Sequence, residues 1–476
     1  MKTHPLYLNG EFVTANTFFP VRNPATGQVF AKMSAIDRPH LARAIQDAHA
    51  AFHDWRALTG QARGLFLRII ADELKRRGDE IARTMTLENG KPLAQSMAEM
   101  AMAVDHLQWF AEEARRGYGR IIPHQTDGKR NLVIKTPIGV AAAISPWNFP
   151  LVLSVRKVAP ALAAGCTVIL KPASSTPLCN VAFAEACDAA KLPKGVFQLV
   201  AGSASEIGDE FLRNPLVRKI SFTGSTEIGR RLIAGAAEQI KPLSLELGGL
   251  NPVLVFDDAD LETAVAGAML AKFRNSGQTC IAANRIYVQR GVYDRFVRLI
   301  VERTKALKVG DGLEPGVDIG AMIDENAVKK ALEHVADAVQ RGARLLCGGK
   351  RLDRPGFFLE PAVLADVPMD CLCMREETFG PVVAIAPFAT EAEAVAAANS
   401  APFGLAAYVF TSELSRAFRL MEQIEAGMVG INDGLPTTSN APFGGVKQSG
   451  WGRELGSEGL DSYLETKHIS IGLQPA

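Results

Sequence analysis

The sequence predicts an α/β protein with two doubly wound domains and a small additional β element. Three observations predict this fold. Short apolar runs alternate with helical patterns from residue 139 onward. A second alternation of the same kind begins near residue 251. The chain has 476 residues, 47% of them hydrophobic, which is enough for two or three domains.

Hydrophobic spacing predicts helices in the first part of the chain. Residues 41–56 place Leu41, Ile45 and Phe52 on one stripe, and residues 92–116 repeat this pattern. The Pro- and Gly-containing stretch at 117–138 predicts a strand pair that leaves the helical layer. The strand-like C-terminal stretch at 460–474 could pair with it. A projecting strand pair is marginal alone, so we expect it to serve oligomerisation.

The first alternation consists of apolar runs, each followed by a helical segment. Such alternation is typical of βαβ units and a parallel sheet. The predicted strands are 139–145, 167–171, 196–200, 219–222 and 243–247, and the helices are 151–164, 176–190, 205–213 and 226–239. The second alternation has its own strand candidates, at 251–256, 284–289, 381–388 and 428–432.

Charge and cysteine content exclude several classes of protein. The formal net charge of +1 gives no field that attracts nucleic acid or an anionic membrane. The N-terminal segment lacks the pattern of a secretory signal, and no apolar run is long enough to span a bilayer. Seven cysteines in so long a chain indicate reduced thiols rather than a disulfide framework. We therefore expect a soluble cytoplasmic protein.

Two predicted strand ends carry residues suited to a nucleotide. Ligands of open α/β sheets lie beyond the carboxyl ends of the strands. Lys171 ends one strand, and another is followed by a glycine turn from Gly224 through Ser225 to Gly229. Such a turn presents a helix N-terminus to phosphate. The spacing is neither that of a P-loop nor that of the usual dinucleotide fingerprint, so the turn alone is a weak signal.

Several segments resemble the aldehyde dehydrogenase superfamily. They follow the order and spacing of that family from residue 5 to the C-terminus, and residues 105–177 and 270–298 most resemble the bacterial succinate-semialdehyde dehydrogenases. The segments are Pro146-Trp147-Asn148-Phe149-Pro150, Leu170-Lys171-Pro172, Phe222-Thr223-Gly224-Ser225, Leu245-Glu246-Leu247-Gly248-Gly249, Gly277-Gln278-Thr279-Cys280, Glu376-Glu377-Thr378-Phe379-Gly380-Pro381 and Pro442-Phe443-Gly444-Gly445-Val446-Lys447.

The resemblance implies an aldehyde-dehydrogenase-like fold and the domain organisation of that family. Residues 1–117 and 139–246 would form the dinucleotide-binding domain, and 247–430 the catalytic domain. The oligomerisation strands would be 118–138 and 460–476. Residues 431–459 would form a substrate loop and return to the cofactor domain. We expect a homodimer or homotetramer.

The resemblance also implies three catalytic residues. Cys280 would attack the aldehyde, and its thioester would then be hydrolysed. Asn148, with the Cys280 backbone N–H, would hold the oxyanion. Glu246 would activate water, and its apolar strand predicts a raised pKa that suits a general base. The other six cysteines are expected to be structural. Cys371 and Cys373 lack partner ligands for zinc, so no metal is expected.

The cofactor implied is NAD(P). The residues expected to bind it are Ser145, Trp147, Lys171, Ser174, Gly224, Ser225, Gly229, Glu377 and Phe379. Members that prefer NAD commonly carry Glu three residues after the lysine, where this sequence has Ser174. NADP should therefore be accepted and could be preferred. The position of a second, redox-switching cysteine in some relatives is Ala282 here, so no such switch is expected.

Two arginines and a hydroxyl indicate the substrate class. In succinate-semialdehyde dehydrogenases such residues clamp the distal carboxylate, and Arg156, Arg274 and Thr437 match them here. The loop around Thr437 differs from its look-alikes. Succinate semialdehyde is therefore the first expectation, and semialdehydes of glutarate or 2-oxoglutarate remain open.

Three other functions remain alternatives. The chain could be a broad-specificity aldehyde dehydrogenase for uncharged aldehydes. It could also be a non-enzymatic dinucleotide-binding protein of structural or lens type, although Cys280, Glu246 and Asn148 are all present. An acylating dehydrogenase that uses coenzyme A is disfavoured, because Glu246 serves hydrolysis.

Overall fold

The structure, a computed structural model, describes residues 1–474, and its elements follow the predicted alternation. The helices are α1 (Arg38–Ala57), α2 (Gly60–Arg76), α3 (Gly78–Asn89), α4 (Leu93–Glu113), α5 (Val152–Ala164), α6 (Leu178–Ala189), α7 (Ala204–Arg213), α8 (Thr226–Ala236), α9 (Leu261–Phe273), α10 (Tyr293–Lys305), α11 (Glu325–Gln340), α12 (Leu372–Arg375), α13 (Glu391–Asn399), α14 (Leu414–Gln423) and α15 (Gly456–Asp461). Short 3-10 helices occur at Ala237–Gln239 and Arg274–Gly277.

The strands alternate with these helices. They are β1 (Thr3–His4), β2 (Leu6–Leu8), β3 (Glu11–Val13), β4 (Phe18–Arg22), β5 (Val29–Ser34), β6 (Arg120–Ile122), β7 (Lys129–Pro137), β8 (Val140–Ile144), β9 (Thr167–Lys171), β10 (Phe197–Leu199), β11 (Val217–Thr223), β12 (Leu243–Glu246), β13 (Asn251–Val255), β14 (Ala283–Gln289), β15 (Arg344–Cys347), β16 (Ala362–Ala365), β17 (Val382–Phe388), β18 (Phe403–Gly404), β19 (Ala406–Phe410), β20 (Met428–Ile431), β21 (Val446–Lys447), β22 (Gly450–Trp451) and β23 (Leu464–Gly472).

The first large sheet has eight strands in the order β22-β12-β11-β8-β9-β10-β2-β3. Its five central strands are parallel. From β8 the chain moves outward through β9 to β10 and then returns to the other side of β8 with β11. The strand order therefore reverses between β8 and β11, and a crevice opens at the carboxyl end of such a switch point.

The second large sheet has seven strands in the order β15-β16-β17-β14-β13-β19-β20. Its strands are parallel except for β15, which runs antiparallel at one edge. A separate three-stranded antiparallel sheet, β23-β7-β6, joins the C-terminal strand to the segment after α4. The predicted α/β class with two parallel sheets and a small β element is confirmed.

Helix α5 belongs to the main hydrophobic core. Every residue from Val152 to Ala164 is buried, as expected for a helix that is apolar on nearly all sides. Arg156 and Lys157 are its charged residues, and both are buried. Buried charges are rare unless they are paired or functional, so this helix indicates where the chemistry lies.

Several elements were not predicted from the sequence. The short strands β1 to β5 lack a clear apolar alternation, and α2, α3, β15, β16 and β19 were also missed. Residues 475 and 476, the end of the predicted oligomerisation segment, lie outside the described residues. The domain limits themselves stay a prediction. Among residues 1–474, none of the helices combines the length and the apolar character that crossing a bilayer requires.

Candidate active site

The candidate site lies where the carboxyl ends of the first sheet meet the amino ends of the second. Glu246 ends β12, and Cys280 immediately precedes β14. Asn251, the first residue of β13, donates through Nδ2 to the carbonyls of Cys280 (2.8 Å) and Ala282 (2.9 Å). These bonds hold the turn that carries Cys280 against the start of the second sheet.

An unusual backbone turn positions Cys280. Asn275 and Ser276 have positive φ angles of 48° and 57°, and Gly277 follows with 76°. A Cβ on Gly277 would lie 2.3 Å from the carbonyl oxygen of Gly380, so glycine is required there. Consecutive left-handed residues are strained and are concentrated at functional sites. The turn directs Cys280 into a pocket, and its side chain is partly exposed.

The thiol of Cys280 is held in its neutral form. Burial raises its pKa to about 12, and the nearby Glu377 carboxylate acts in the same direction, while Arg156 opposes the shift. The thiol is therefore not a resting thiolate in the protein alone. Ionisation requires a change at the site, because a thiolate rather than a thiol is the effective nucleophile.

Asn148 reaches the Cys280 turn from the loop between β8 and α5. Its side-chain Nδ2 donates to the carbonyl of Gln278 at 3.1 Å, and the residue is 4% exposed. An amide nitrogen carries two hydrogens, so one donor remains beyond this bond. The predicted oxyanion donor and the predicted nucleophile are thus brought together.

Glu246 is buried and lacks a hydrogen-bond partner among the described residues at either carboxylate oxygen. Burial raises its pKa well above the ordinary value, and Glu454 raises it further, while Lys157 and two arginines oppose the shift. This direction agrees with the raised pKa expected from its apolar strand. A Cβ on Gly444 would approach Glu246 Oε1 to 2.8 Å, so the glycine leaves room for this carboxylate.

A buried ion pair beside Glu246 was missed by sequence reasoning. Lys157 Nζ contacts the carboxylate of Glu454 and lies 2.6 Å from Thr223 Oγ1. Thr223 is the register partner of Glu246 across β11 and β12. The signal was present as a lysine within the apolar run that forms α5.

The three predicted substrate residues line one pocket with Cys280. Arg156 Nη2 lies 3.5 Å from Thr437 Oγ1, and its guanidinium lies 4.5 Å from the Phe443 ring centroid. The Arg274 guanidinium lies 5.3 Å from the Phe149 ring centroid. Among the described residues, neither arginine has a carboxylate partner within 4.0 Å. The remaining lining is mostly apolar: Met102, Val152, Leu153, Thr279 and Ile281.

Lys171 ends β9 at the carboxyl edge of the first sheet. Burial lowers its pKa to about 8, and no opposing carboxylate contributes. Its buried ammonium group can donate hydrogen bonds to hydroxyl groups of a ligand. Ser174 lies three residues later on a turn, and its side chain is exposed.

The predicted phosphate turn lies at the N-terminus of α8. Ser225 caps this helix, because its Oγ accepts a hydrogen bond from the Ile228 amide at 3.4 Å. The Gly224 N–H donates to the Glu246 carbonyl at 3.0 Å. A Cβ on Gly229 would lie 2.7 Å from Leu247 Cδ2. Close packing thus explains Gly229, and the helix N-terminus beyond Ser225 is the part that suits an anion.

Aromatic and acidic residues lie at the predicted nicotinamide end. The rings of Trp147 and Phe379 meet edge to face, with centroids 5.5 Å apart. Glu377 Oε1 accepts from the Gly249 amide at 3.4 Å, and burial raises the pKa of Glu377 to about 7. Ser145 differs from its neighbours, because its hydroxyl bonds Ser154 of α5 at 2.7 Å. The hydroxyl of Ser145 is thus engaged within the protein, and the residue is 3% exposed.

The remaining cysteines lie away from this pocket. Cys166, Cys179, Cys187, Cys371 and Cys373 are buried, and Cys347 is partly exposed on β15. Burial raises the pKa of each of these thiols. Buried neutral thiols act as small apolar side chains.

Comparison with known proteins identifies the family. Residues 12–469 match the model of the aldehyde dehydrogenase family. The chain belongs to the aldehyde dehydrogenase family. The family resemblance found in the sequence motifs is thus confirmed over nearly the whole length.

Several relatives within the family are identical to this chain at about half of the aligned residues. Succinate-semialdehyde dehydrogenase [NADP(+)] GabD of Escherichia coli is 51% identical over 98% of this chain and 97% of that protein. Glutarate-semialdehyde dehydrogenase of Pseudomonas aeruginosa is 50% identical over the same shares. A crystal structure of an aldehyde dehydrogenase from Brucella melitensis biovar abortus 2308 is 50% identical, with a TM-score of 0.98 over 99% of this chain and 98% of that one.

Proposed function

We propose that this aldehyde dehydrogenase oxidises succinate semialdehyde to succinate with NADP. The similarity to an NADP-dependent succinate-semialdehyde dehydrogenase supports both the substrate and the cofactor. The pair of arginines in the pocket of Cys280 carries the proposal for the substrate class.

The argument rests on the cost of burying charge. Arg156 is 5% exposed, its Nε lacks a partner among the described residues, and burial lowers its pKa. Arg274 shares the pocket, and burial lowers its pKa as well. A buried guanidinium group without a directly paired anion is costly, most of all at Arg156, and a carboxylate on the substrate would reduce that cost. Thr437 would add a hydroxyl to the same carboxylate.

Held in this way, the aldehyde carbon would lie near Cys280. The Cys280 sulfur would bond to that carbon as the thiol proton leaves through water to the solvent. The remaining Asn148 amide hydrogen and the Cys280 N–H stabilise the negative oxygen. A nicotinamide held by Trp147 and Phe379 would supply the hydride acceptor, which lets the carbonyl re-form as a thioester on Cys280. Glu246 would then take a proton from the water that attacks the thioester and return it to the sulfur as the acid leaves, which restores the thiol.

The residues at the carboxyl edge of the first sheet fit a dinucleotide. Lys171 would hold the adenosine ribose, and Ser225 with the N-terminus of α8 would hold the pyrophosphate. Glu377 would bind the nicotinamide ribose, and the rings of Trp147 and Phe379 would contact the nicotinamide. Ser174 supports NADP, because a hydroxyl can hydrogen-bond a 2′-phosphate. We expect no contribution from Ser145, and only a packing contribution from Gly229.

Glutarate semialdehyde is the second candidate, supported by a relative at 50% identity. It is one methylene longer than succinate semialdehyde, and one methylene changes binding by about 1–3 kcal/mol. The kcat/KM ratio for the two aldehydes decides between them. A ratio above about 10 in favour of the shorter one supports our first proposal.

Replacing the two pocket arginines, Arg156 and Arg274, which we call the carboxylate clamp, tests the substrate class. Arg156→Leu and Arg274→Leu should each lower kcat/KM for succinate semialdehyde by about 100-fold, as expected when a buried charge loses its partner. Activity with butanal, which has no carboxylate, should change less than about threefold. Arg213→Leu, at an exposed position on α7, is the matched control. Equal loss with both aldehydes, or no loss with either, contradicts the clamp.

We also propose assembly through the β23-β7-β6 sheet, as a homodimer or homotetramer. Tyr118 and Ile121 in this region are 72% and 78% exposed, and Ile471 of β23 is also exposed. Exposed apolar clusters favour protein contacts. Light scattering of the purified chain, with Ile121→Asp expected to lower the mass of the assembly, tests this.

The unpaired cysteines support a reducing compartment, which we take to be the cytoplasm.

A further inference from the structure

The backbone carbonyl of Asn148 accepts three side-chain hydrogen bonds. Lys91 Nζ lies 2.6 Å from this oxygen, Asn275 Nδ2 2.8 Å and Asn89 Nδ2 3.4 Å. Most carbonyls in a loop meet one partner or water, so three donors on one oxygen are exceptional. One of them is an ammonium group, and bonds from charged donors are the stronger ones.

Lys91 is itself fixed by a buried partner. Its Nζ lies 2.7 Å from Glu99 Oε2, and both side chains are fully buried. The other oxygen of Glu99 accepts from the amides of Leu151 (2.9 Å) and Val152 (3.1 Å) at the start of α5. Lys91 and Glu99 thus hold both sides of the loop between Asn148 and α5.

The segment that carries Lys91 has little freedom to move. A Cβ on Gly320 would lie 2.0 Å from the Gly90 carbonyl oxygen, and one on Gly312 would lie 2.3 Å from the Lys91 carbonyl oxygen. The Leu93 amide also donates to the Gly312 carbonyl at 2.8 Å. Backbone segments that pack this closely keep the Lys91 side chain at a constant position relative to Asn148.

The same ammonium group contacts the wall of the substrate pocket. Lys91 Nζ lies 4.2 Å from the ring centroid of Phe149, and Arg274 lies 5.3 Å from the same centroid. These are cation–π distances. Phe149 directly follows Asn148, so the wall and the proposed oxyanion donor share one fixed stretch of backbone.

We propose that Lys91, held by Glu99, is a positioning residue that fixes Asn148 for oxyanion stabilisation. The inference rests on the proposed function, because it needs Asn148 to act on the oxyanion. Lys91 does not touch the substrate. It acts through the Asn148 carbonyl, and a misplacement of about 1 Å at a catalytic group can cost about 100-fold in rate.

A double-mutant cycle tests this role. The measured quantity is the burst rate of NADPH formation with saturating succinate semialdehyde and NADP. Lys91→Met should lower this rate by about 10- to 100-fold. Asn148→Ala should lower it by about 100- to 1,000-fold. The double variant should match Asn148→Ala within about threefold, because Lys91 has nothing left to position.

Two further measurements separate positioning from general damage. The rate at which iodoacetamide alkylates Cys280 should be unchanged in Lys91→Met, since this reaction needs no oxyanion donor. Lys241→Met is the matched control, because Lys241 is also buried and bonds two carbonyls, of Phe211 (2.7 Å) and Asn214 (2.6 Å), away from the site. It should lower Tm and leave the burst rate unchanged.

Contrary results are equally clear. An unchanged burst rate in Lys91→Met, or the same fold loss from Lys91→Met with and without Asn148, overturns the inference and leaves the proposed function standing. Full activity of Asn148→Ala overturns the proposed oxyanion role and the inference with it. If Lys91→Met does not fold, Glu99→Gln enters the same cycle, because it weakens the grip on Lys91 while keeping the shape of the side chain.

Discussion

Glu454 takes the ammonium group of Lys157, and the neighbouring Glu246 has no partner at either carboxylate oxygen among the described residues. The two carboxylates are close enough for Glu454 to raise the pKa of Glu246. Of these two buried acids, only Glu454 makes an ion pair with the lysine. This difference leaves Glu246 as the proton acceptor at the site, at a cost in stability.

Replacing Glu246 by glutamine should stabilise the fold in a pH-dependent way. The pKa of Glu246 is higher in the folded than in the unfolded chain. Between these two pKa values the unfolded chain loses its proton more readily than the folded protein does, so a rise in pH favours unfolding. The free energy of unfolding of the wild-type protein therefore decreases as the pH rises above about 4.5, the ordinary pKa of glutamate. Glu246→Gln should gain roughly 1 kcal/mol at pH 8 and almost nothing at pH 4.

Melting curves of both proteins at the two pH values measure this gain. The contrast with Asp209→Asn, an exposed acid on α7, serves as the control and should show no such trend. An equal difference in Tm at pH 4 and pH 8 contradicts a raised pKa for Glu246.

The neutral thiol of Cys280 predicts a steep pH dependence of alkylation. With a pKa of about 12, the thiolate fraction rises about tenfold for each pH unit below that value. Inactivation of the cofactor-free protein by iodoacetamide should therefore accelerate about tenfold per unit from pH 7 to pH 10, with no plateau. Cys280→Ser should resist inactivation. A plateau at pH 8 or below would mean that the free enzyme already holds a thiolate.

Cofactor choice should depend on Ser174. Ser174→Glu places a carboxylate where the 2′-phosphate of NADP would lie, and like charges brought together cost several kcal/mol. We expect kcat/KM for NADP to fall by about 100-fold and that for NAD to change less than about threefold. Ser457→Glu, at an exposed position on α15, adds the same charge elsewhere. Equal loss with both cofactors contradicts this role of Ser174.

Most of the fold followed from periodicity. The strands that end at Lys171 and Glu246 are continuous apolar runs, typical of parallel strands buried on both faces. The five-strand alternation after residue 139 was therefore readable. The strands β1 to β5 were missed because they are only two to six residues long and their apolar residues do not alternate clearly. They mostly pair with one another, and β2 joins the large sheet through its contact with the distant β10. Propensity carries little information about such contacts.

The candidate site was readable only in part. Motif resemblance led to Cys280, Asn148 and Glu246, and these residues meet at one site. It did not lead to Lys91, Glu99, Lys157 or Glu454, because a buried lysine is recognised only when its partners are known. Lys157 lies 297 residues from Glu454 along the chain. For Gly229 a close contact with Leu247, and for Ser145 a buried hydrogen bond, favour structural roles that the motifs did not indicate.

Mass spectrometry of an acid-quenched reaction detects the thioester that Cys280 would form with the substrate. Glu246→Gln, mixed with NADP and succinate semialdehyde, should accumulate one succinyl group on the peptide that contains Cys280. Cys280→Ala should show neither this adduct nor a burst of NADPH. A burst without any adduct on that peptide, or oxidation by Cys280→Ala at the wild-type rate, contradicts the account.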